Sequence, residues 1–555
     1  MNCQIPKTQT ALQLTGPNQL TLNTTKPVSP PGPEQILCQI EAVGLCFSDL
    51  KLLKQFSSHV RKSKIVSGIA QDTLSEIPSY VPGDAPTVPG HEAVVRVCEI
   101  GTNVRDIKIG EHFLVQPDYR WLLTEGSNAA FGYNFEGALQ EYVLFDQRAI
   151  TSPDGESMLI AASEHLSASA VALVEPWGCV EQAYSAKNRT SLKTGGQTLI
   201  VADGEINEKQ LTDFFNCFGK PAKITIISKS SSLSGLDIVI DRADNIDKLT
   251  DTGYDDIIYF GSNSQTVQIL FDKVATGGLL NIVLCGSRFA TEVSIHIGRV
   301  HYGNVRIIGT VTSDPADSMR YIPKSGEIRR ADKINVIGAA GPMGVMHVVR
   351  NICHGIEGIE VFAGDLDRDR LAKLTGIVAP LAEKNNVGFK PYNPNKDNPK
   401  DLFDYIVLMA PIPKLVNDSV KTAAEGAIIN IFAGIPATVI GQIDFNTYIE
   451  RHLYLIGTSG LRPDDIKTVL QKIETGRLDT NISVAAVCGL SAAAEAISAV
   501  ENHLITGKII VLPACKDLPL LTLDKLPGYL PQLAEHLKNG LWNKKAEDIL
   551  LEPYK

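Results

Sequence analysis

The sequence contains no C-x-x-C pair. Its ten cysteines stand singly, at Cys3, Cys38, Cys46, Cys98, Cys179, Cys217, Cys285, Cys353, Cys488 and Cys515. That scatter argues against a disulfide framework and for a reducing compartment with mostly buried thiols. No tract of Lys and Arg stands out and the formal net charge is −10. Nothing in it is suited to hold nucleic acid. No uninterrupted apolar run approaches the roughly 18 residues of a membrane span. The start, MNCQIPKTQTALQL, shows no apolar signal region, so a cytoplasmic protein is expected. What is present is length and apolar residues in quantity. The 555 residues are 44% hydrophobic, enough for several cores and too many residues for one ordinary domain.

The richest stretch is KINVIGAAGPMGVMHVVRNICHGIEGIEVFAGDLDRDRLAK, which opens at Lys333. Lys333 to Ile337 is a short apolar run, as a buried parallel strand should be. Gly338, Gly341 and Gly344 follow in a turn, then a helix-forming segment to Asn351, then a second strand from Ile359 to Ala363. Asp365 ends that strand, 21 residues after Gly344. Glycines let backbone approach a pyrophosphate, and a helix N-terminus offers free N–H groups and partial positive charge. A carboxylate about 20 residues on can bond the ribose hydroxyls of NAD and would repel the extra phosphate of NADP. The candidate cofactor set is Gly338, Gly341, Pro342, Met343, Gly344, Asp365 and Arg370. The pattern departs from G-x-G-x-x-G at Ala339, with Gly338 expected to serve in a shifted turn.

The first 180 residues read differently. Residues 11 to 45 alternate apolar and polar between Pro/Gly clusters, as short antiparallel strands do. Three landmarks follow: GLCFSDLK with Cys46, Ser48 and Asp49; VPGHE with His91 and Glu92; and VEPWG with Glu175. In order and in wording these resemble the medium-chain zinc-dependent alcohol and polyol dehydrogenases, the third in the manner of the sorbitol dehydrogenase branch. The resemblance covers residues 11 to 200 and 330 to 512. It implies a GroES-like catalytic domain, a Rossmann domain and one catalytic zinc. Cys46, His91 and Glu175 offer a thiolate, an imidazole and a carboxylate, a set that suits tetrahedral zinc with one open position. Glu92 could ligate directly or through water. Taken singly, Cys46 reads as a small buried apolar residue, His91 as part of a turn, and Glu175 as a helix-opening acid. By resemblance, Ser48 is the first proton relay and Asp49 orients a ligand.

Two departures carry expectations. The family's structural zinc needs four close cysteines, and VQPDYRWLLTEGSNAAFGYNFEG has none, so no structural zinc is expected. The interval between Cys46 and His91 is longer than the family's, through an insertion at 54–86. Lys54, His59, Arg61, Lys62 and Lys64 there could meet an anionic substrate as a lid. The simpler reading is a solvated basic loop.

The middle of the chain looks like the same α/β unit written twice. YDDIIYF at 254–260 resembles FDYIVLM at 403–409, and ATGGLLNIVLCG resembles AEGAIINIFAGI. Asp255 to Asp404 and Ala275 to Ala424 are both steps of 149, and such a constant offset argues duplication. The first copy has Asp203, Gly204 and Glu205 where the phosphate turn should be, and Ser228 and Lys229 where a ribose acid should be.

The expected fold class is therefore α/β. A GroES-like β-rich catalytic domain (1–180, completed by 476–514) is joined to two tandem Rossmann domains, each a doubly wound parallel sheet. The first (181–325) is degenerate and the second (326–475) binds NAD. Residues 515–555 form an added helical tail. The expected activity is zinc-dependent hydride transfer between NAD and a secondary alcohol, a small-molecule polyol, sugar or cyclitol. A zinc-free, quinone-reductase-like enzyme and a non-catalytic NAD-binding scaffold or sensor are the alternatives. The chain is expected to be either a homo-oligomer or, through the spare lobe, a pseudo-dimer within one chain that hides the sheet edge.

Overall fold

The computed structural model describes residues 5–228, 238–249, 253–458, 460–537 and 540–554. The chain divides into two compact units, one of Met1–Cys179 with Leu461–Lys555 and the other of Val180–Gly460. Among the described residues no helix is long and apolar enough to cross a membrane.

The first unit is built on an eight-stranded sheet. Its central strand, Gln35–Gly44, pairs antiparallel with Glu92–Ile100 on one side and with Lys508–Val511 on the other. Tyr142–Asp146 also pairs with it, and His112–Val115 and Leu159–Ala161 extend the far edge. Gln35–Gly44 is buried along most of its length because neighbours cover both its faces. Residues more than 460 positions apart are thus hydrogen-bonded neighbours.

Two expected boundaries move. The unit resumes at Leu461 and not at 476. The helix Pro463–Glu474 belongs to it because buried Ile466 packs against Gly178, where a side-chain carbon would lie 3.2 Å from Ile466 Cγ1. The last 41 residues, expected as an added helical tail, carry the helices Leu526–Tyr529 and Lys544–Leu551 and belong to this same unit. Leu521–Thr522 adds a strand to the sheet beside Val484–Cys488. Trp542 is buried, and the Glu547 carboxylate accepts the backbone N–H groups of Ala168 and Ser169.

The insertion is likewise built into the fold. Its strand Ile65–Ser67 pairs with Asp118–Thr124, which pairs in turn with Asn128–Ala130. Lys62 is fully buried. Its ammonium donates to the carbonyls of Val81 and Ala85. The solvated-loop reading therefore holds for Lys54 and Lys64 but not for His59, Arg61 or Lys62.

The second unit holds two parallel six-stranded sheets. The first runs Val239–Arg242, Lys223–Ile227, Gln197–Ala202, Tyr254–Phe260, Val274–Val283, Arg306–Thr310 across the sheet. The other runs Gly388–Tyr392, Glu360–Gly364, Lys333–Ile337, Phe403–Leu408, Ala423–Ile431, Tyr454–Ile456. Numbered along the chain, both have the order 3-2-1-4-5-6 of a doubly wound sheet. The offset seen in the sequence recurs in the ladders. Tyr254 faces Val274 and, after a bulge, Asp256 faces Leu279; Phe403 faces Ala423 and Tyr405 faces Ile428. Polar contacts repeat too. Asp255 accepts from Gln197 N at 2.9 Å and Asp404 from Lys333 N at 2.8 Å. Arg189 donates to the Asp255 carbonyl and Arg329 to the Asp404 carbonyl.

One apolar core runs through both sheets, taking Leu199, Ile257 and Ile282 from the first and Ile406, Ile429 and Leu455 from the second. The strands Val293–His296 and Ile440–Ile443 join the two in a short antiparallel ladder. Of the cysteines, Cys38, Cys98, Cys488 and Cys515 are buried, whereas Cys217 and Cys285 are exposed.

Candidate functional site

Cys46 is the residue just before the helix Phe47–Gln55. Three residues into the helix, Asp49 turns back and accepts the Cys46 N–H at 3.1 Å, so the carboxylate satisfies a donor that a helix start leaves open. The other oxygen of Asp49 lies 2.9 Å from His91 Nδ1. One buried aspartate thus fixes both the Cys46 turn and the imidazole. With Nδ1–H donated to it, Nε2 is left free to act as a ligand. Burial opposes protonation of His91, but Asp49, Tyr133 and the Cys46 sulfur outweigh it and hold the imidazole well above its ordinary pKa, so a metal bound at Nε2 would have to displace a proton there.

His91 leads directly into Glu92–Ile100, whose first residue faces Gly44 in the ladder. That register brings Cys46, His91 and Glu92 together: one ligand atom from each lies within 4.8 Å of the others. Ser48 Oγ is 3.1 Å from Cys46 Sγ and 3.2 Å from His91 Nε2. Glu92 is fully buried. Its Oε1 pairs with the Lys508 ammonium, while its Oε2 has no hydrogen-bond partner among the described residues. Lys508 also donates to the Leu45 carbonyl at 3.1 Å.

The sulfur of half-buried Cys46, a nitrogen of buried His91 and an orphaned oxygen of buried Glu92 fit a zinc ion, whose bonds of about 2.0–2.3 Å put neighbouring ligands roughly 3.5 Å apart. Glu175 lies in the first turn of Val174–Ser185 and is buried, but it is outside this compact group. Burial pushes its carboxyl up to about 7; His91 opposes this, Glu92 adds to it, Lys508 opposes it and Asp118 adds to it. The acid that completes the group is therefore Glu92, while Glu175 acts on it through charge.

Sequence reasoning missed Lys508 and Tyr133. A lysine inside the apolar run KIIVLP was the one available signal for the first. Nothing local pointed to Tyr133, whose ring centroid lies 5.9 Å from that of His91 and 5.1 Å from that of His59.

In the second unit, the turn after Lys333–Ile337 is closed by its own polar groups. Gly338 has φ +85°, a conformation that strains any residue with a Cβ. Gly338 N and Ala339 N donate to the Gly364 carbonyl at 2.8 and 3.0 Å. Gly341 precedes the helix Pro342–Cys353, with Pro342 at its first position. Gly344 packs against the turn: a side-chain carbon there would collide with the Gly338 carbonyl and come within 2.7 Å of the Ala339 carbonyl. Asp365 accepts from Ala340 N and from Asp367 N, both at 3.0 Å. Met343 is half-buried and Pro342 exposed, and Arg370 is 3.5 Å from Asp367.

Because backbone and not a flexible side chain meets the added carbon, Gly344→Ala is expected to force the helix away from the turn. Dinucleotide affinity, read by quenching of protein fluorescence during NADH titration, should fall at least tenfold. Unchanged affinity would mean that the turn is not the binding element.

The corresponding turn of the first sheet differs. Asp203 accepts from the Tyr259 hydroxyl at 2.6 Å, and its carboxylate fills space beside Gly261. The following helix, Glu208–Phe218, is capped by Asn207. Lys229 lies outside the described residues.

Residues 32–154 match the alcohol dehydrogenase GroES-like domain. An uncharacterized protein of Escherichia coli, YggP, is 27% identical over 41% of this chain and 58% of its own length. A mannitol-1-phosphate 5-dehydrogenase of Aliivibrio fischeri is 24% identical over 55% of this chain and 78% of that protein. A D-xylulose reductase of Saccharomyces cerevisiae is 30% identical, but over 20% of this chain and 25% of its own. In fold, the crystal structure of 2R,3R-butanediol dehydrogenase from Bacillus subtilis covers 91% of this chain and 100% of its own with a TM-score of 0.52 at 13% identity. The segment that carries Cys46, Ser48, Asp49, His91 and Glu92 is thus a GroES-like domain of the alcohol dehydrogenase kind.

Proposed function

We propose that this chain is an oxidoreductase that moves hydride between NAD and a secondary alcohol of a polyol or sugar, with one zinc held by Cys46, His91 and Glu92. The observation that carries the reading is the compact thiol–imidazole–carboxylate group, with Asp49 bonded to the far nitrogen of His91. Zinc bound there supplies Lewis-acid polarisation of an alcohol or carbonyl oxygen. The chain's own residues do the rest. Asp49 keeps Nε2 of His91 as the lone-pair atom. Ser48, hydrogen-bonded between Cys46 and His91, is the hydroxyl suited to take a proton from the substrate alcohol and pass it outward. Gly338, Gly341, Pro342, Met343 and Gly344 would hold the pyrophosphate, Asp365 the ribose hydroxyls, and Arg370 the rim of that site. A zinc-free reductase would have no use for a buried ligand group of this kind.

The relatives named for polyols and sugars support the substrate class. The test is coenzyme reduction at 340 nm with a panel of hexitols, pentitols and cyclitols, before and after metal removal by chelator. Turnover that is abolished by the chelator and restored by zinc is expected. Full activity in metal-free protein would end the zinc reading, and absence of turnover on every alcohol would end the polyol reading.

We read the two parallel sheets as a duplicated Rossmann domain, the first copy having given up dinucleotide binding for support of the second. The shared apolar core and the ladder between Val293–His296 and Ile440–Ile443 favour this. An internal partner covers a surface that would otherwise pair with another chain. Light scattering is expected to return the mass of one chain. A dimer dissociated by Ile440→Asp would overturn the idea.

A further inference from the structure

The insertion brings five basic side chains, and the fold sorts them. Lys54 pairs with half-exposed Glu501, Lys64 faces solvent, and Lys62 is spent on two carbonyls. His59 is buried, and its Nδ1 accepts the backbone N–H of Arg61 at 3.2 Å. Arg61 is different. Its Nη1 donates to Asp118 Oδ1 at 2.6 Å, and its guanidinium lies 5.6 Å from the centroid of the Tyr133 ring, the ring that also neighbours His91. A second arginine approaches the same carboxylate: Arg120 Nη2 is 3.8 Å from Asp118 Oδ2 and donates to the Leu461 carbonyl at 2.7 Å.

Two guanidinium groups converge on the Asp118 carboxylate, and Glu175 is the further acid that acts on Arg61. Burial alone would not select that arrangement, since one arginine satisfies one aspartate. Both side chains remain reachable from solvent, Arg61 at 28% and Arg120 at 49% exposure. Each guanidinium keeps N–H groups that no other described residue takes up, and their planar forks match phosphate oxygens two at a time. Asp118 holds the Arg61 fork by a hydrogen bond, the Leu461 carbonyl holds that of Arg120, and the Tyr133 ring neighbours both Arg61 and His91.

We propose that Arg61 and Arg120, gathered on Asp118, form an anion subsite beside Cys46, His91 and Glu92, and that it takes the phosphate of a polyol phosphate monoester. The inference rests on the dehydrogenase reading for the polyol and on these two arginines for the phosphate. It gives the insertion a purpose: to carry Arg61 to Asp118 on a turn pinned by Lys62.

The experiment compares hexitols, their terminal phosphate monoesters and the corresponding aldonates as substrates of the full chain. Calorimetric titration with inorganic phosphate runs alongside. The wild-type chain should favour the phosphates by at least a hundredfold in kcat/KM, mostly through KM, and should bind inorganic phosphate. Arg61→Gln should cut that preference at least tenfold, with Arg61→Lys between the two. Arg120→Gln, at a half-exposed position, should weaken phosphate binding without disturbing the insertion, which guards against a misfolded Arg61 variant. Equal preference in wild type and variants would overturn the subsite, as would aldonates serving as well as phosphates. If hexitols are oxidised and phosphate adds nothing, the subsite falls and the dehydrogenase reading stands. If phosphate binding depends on both arginines and no alcohol is oxidised, the reverse holds.

Discussion

Replacing Cys46 by alanine is expected to abolish zinc binding and, on the proposed dehydrogenase reading, to lower kcat/KM at least a hundredfold, with little change in folding. The thiol is one of three candidate ligands, and a catalytic zinc site seldom survives the loss of one of three protein ligands. The fold should tolerate the change because Asp49 still accepts the backbone N–H of residue 46 at the start of the helix. Elemental mass spectrometry of the purified chain should give about one zinc in the wild type and close to none in the variant. Asp49→Asn should cost about 10–100-fold in metal affinity through loss of control over His91. Parallel Glu92→Gln and Glu175→Gln variants decide the third ligand. The geometry predicts metal loss for Glu92→Gln and retention for Glu175→Gln. The opposite pattern would return the ligand role to Glu175, and two zincs per wild-type chain would reveal a second ligand set.

The second large effect is expected far from that chemistry, at Arg350. This side chain is 2% exposed and lies between two carboxylates. It is 3.0 and 3.2 Å from the oxygens of Glu181, and 2.6 and 2.7 Å from those of Glu327. Its guanidinium also lies 4.1 Å from the centroid of the Tyr184 ring. Removing one partner from a buried ionic group costs about 3–5 kcal/mol, because the remaining charges stay desolvated. Arg350→Met should therefore lower Tm by roughly 10 °C. Glu181→Met with Arg350→Met should recover part of the loss.

The pH dependence provides an independent check. Burial alone would raise the Glu327 carboxyl, but Arg350 and His354 overcome it and hold it far below the ordinary range. A carboxyl depressed on folding contributes stability that is present above its unfolded pKa, about 4.3, and lost as pH falls through the folded value. Arg350→Met should flatten that acid limb. A variant whose Tm lies within 2 °C of wild type at neutral pH would mean that solvent reaches the cluster.

Much of the candidate site was legible because its chemistry is local. The run from Cys46 to Asp49 encodes a helix start and a carboxylate that turns back on it, and PGH precedes a strand whose first residue is Glu92. Gly338 and Gly344 were legible for the same reason: one needs a positive φ and the other has carbonyls where a Cβ would be. The offset of 149, visible in the sequence, reappears in the strand registers because the same alternation of residues fixes the same ladder. The choice between Glu92 and Glu175 was not legible. Both are acids near a proline or histidine landmark, and only the ladder opposite Gly44 brings Glu92 into the group.

The sequence by itself marked the glycine turn after Lys333–Ile337, the offset shared by the strand ladders of two α/β segments, and Cys46, Asp49, His91 and Glu92 as residues that belong together. Each of these follows from neighbours a few residues apart, through backbone periodicity and turn chemistry. Only the tertiary structure decided the rest. Lys508 meets Glu92 across 416 positions. Arg61 and Arg120 share Asp118, Lys62 is drawn inside, and the C-terminal Glu547 caps a helix at Ala168. Partners so distant in sequence are chosen by which strands close the sheet and which charges burial then forces to pair, and no local pattern records that choice.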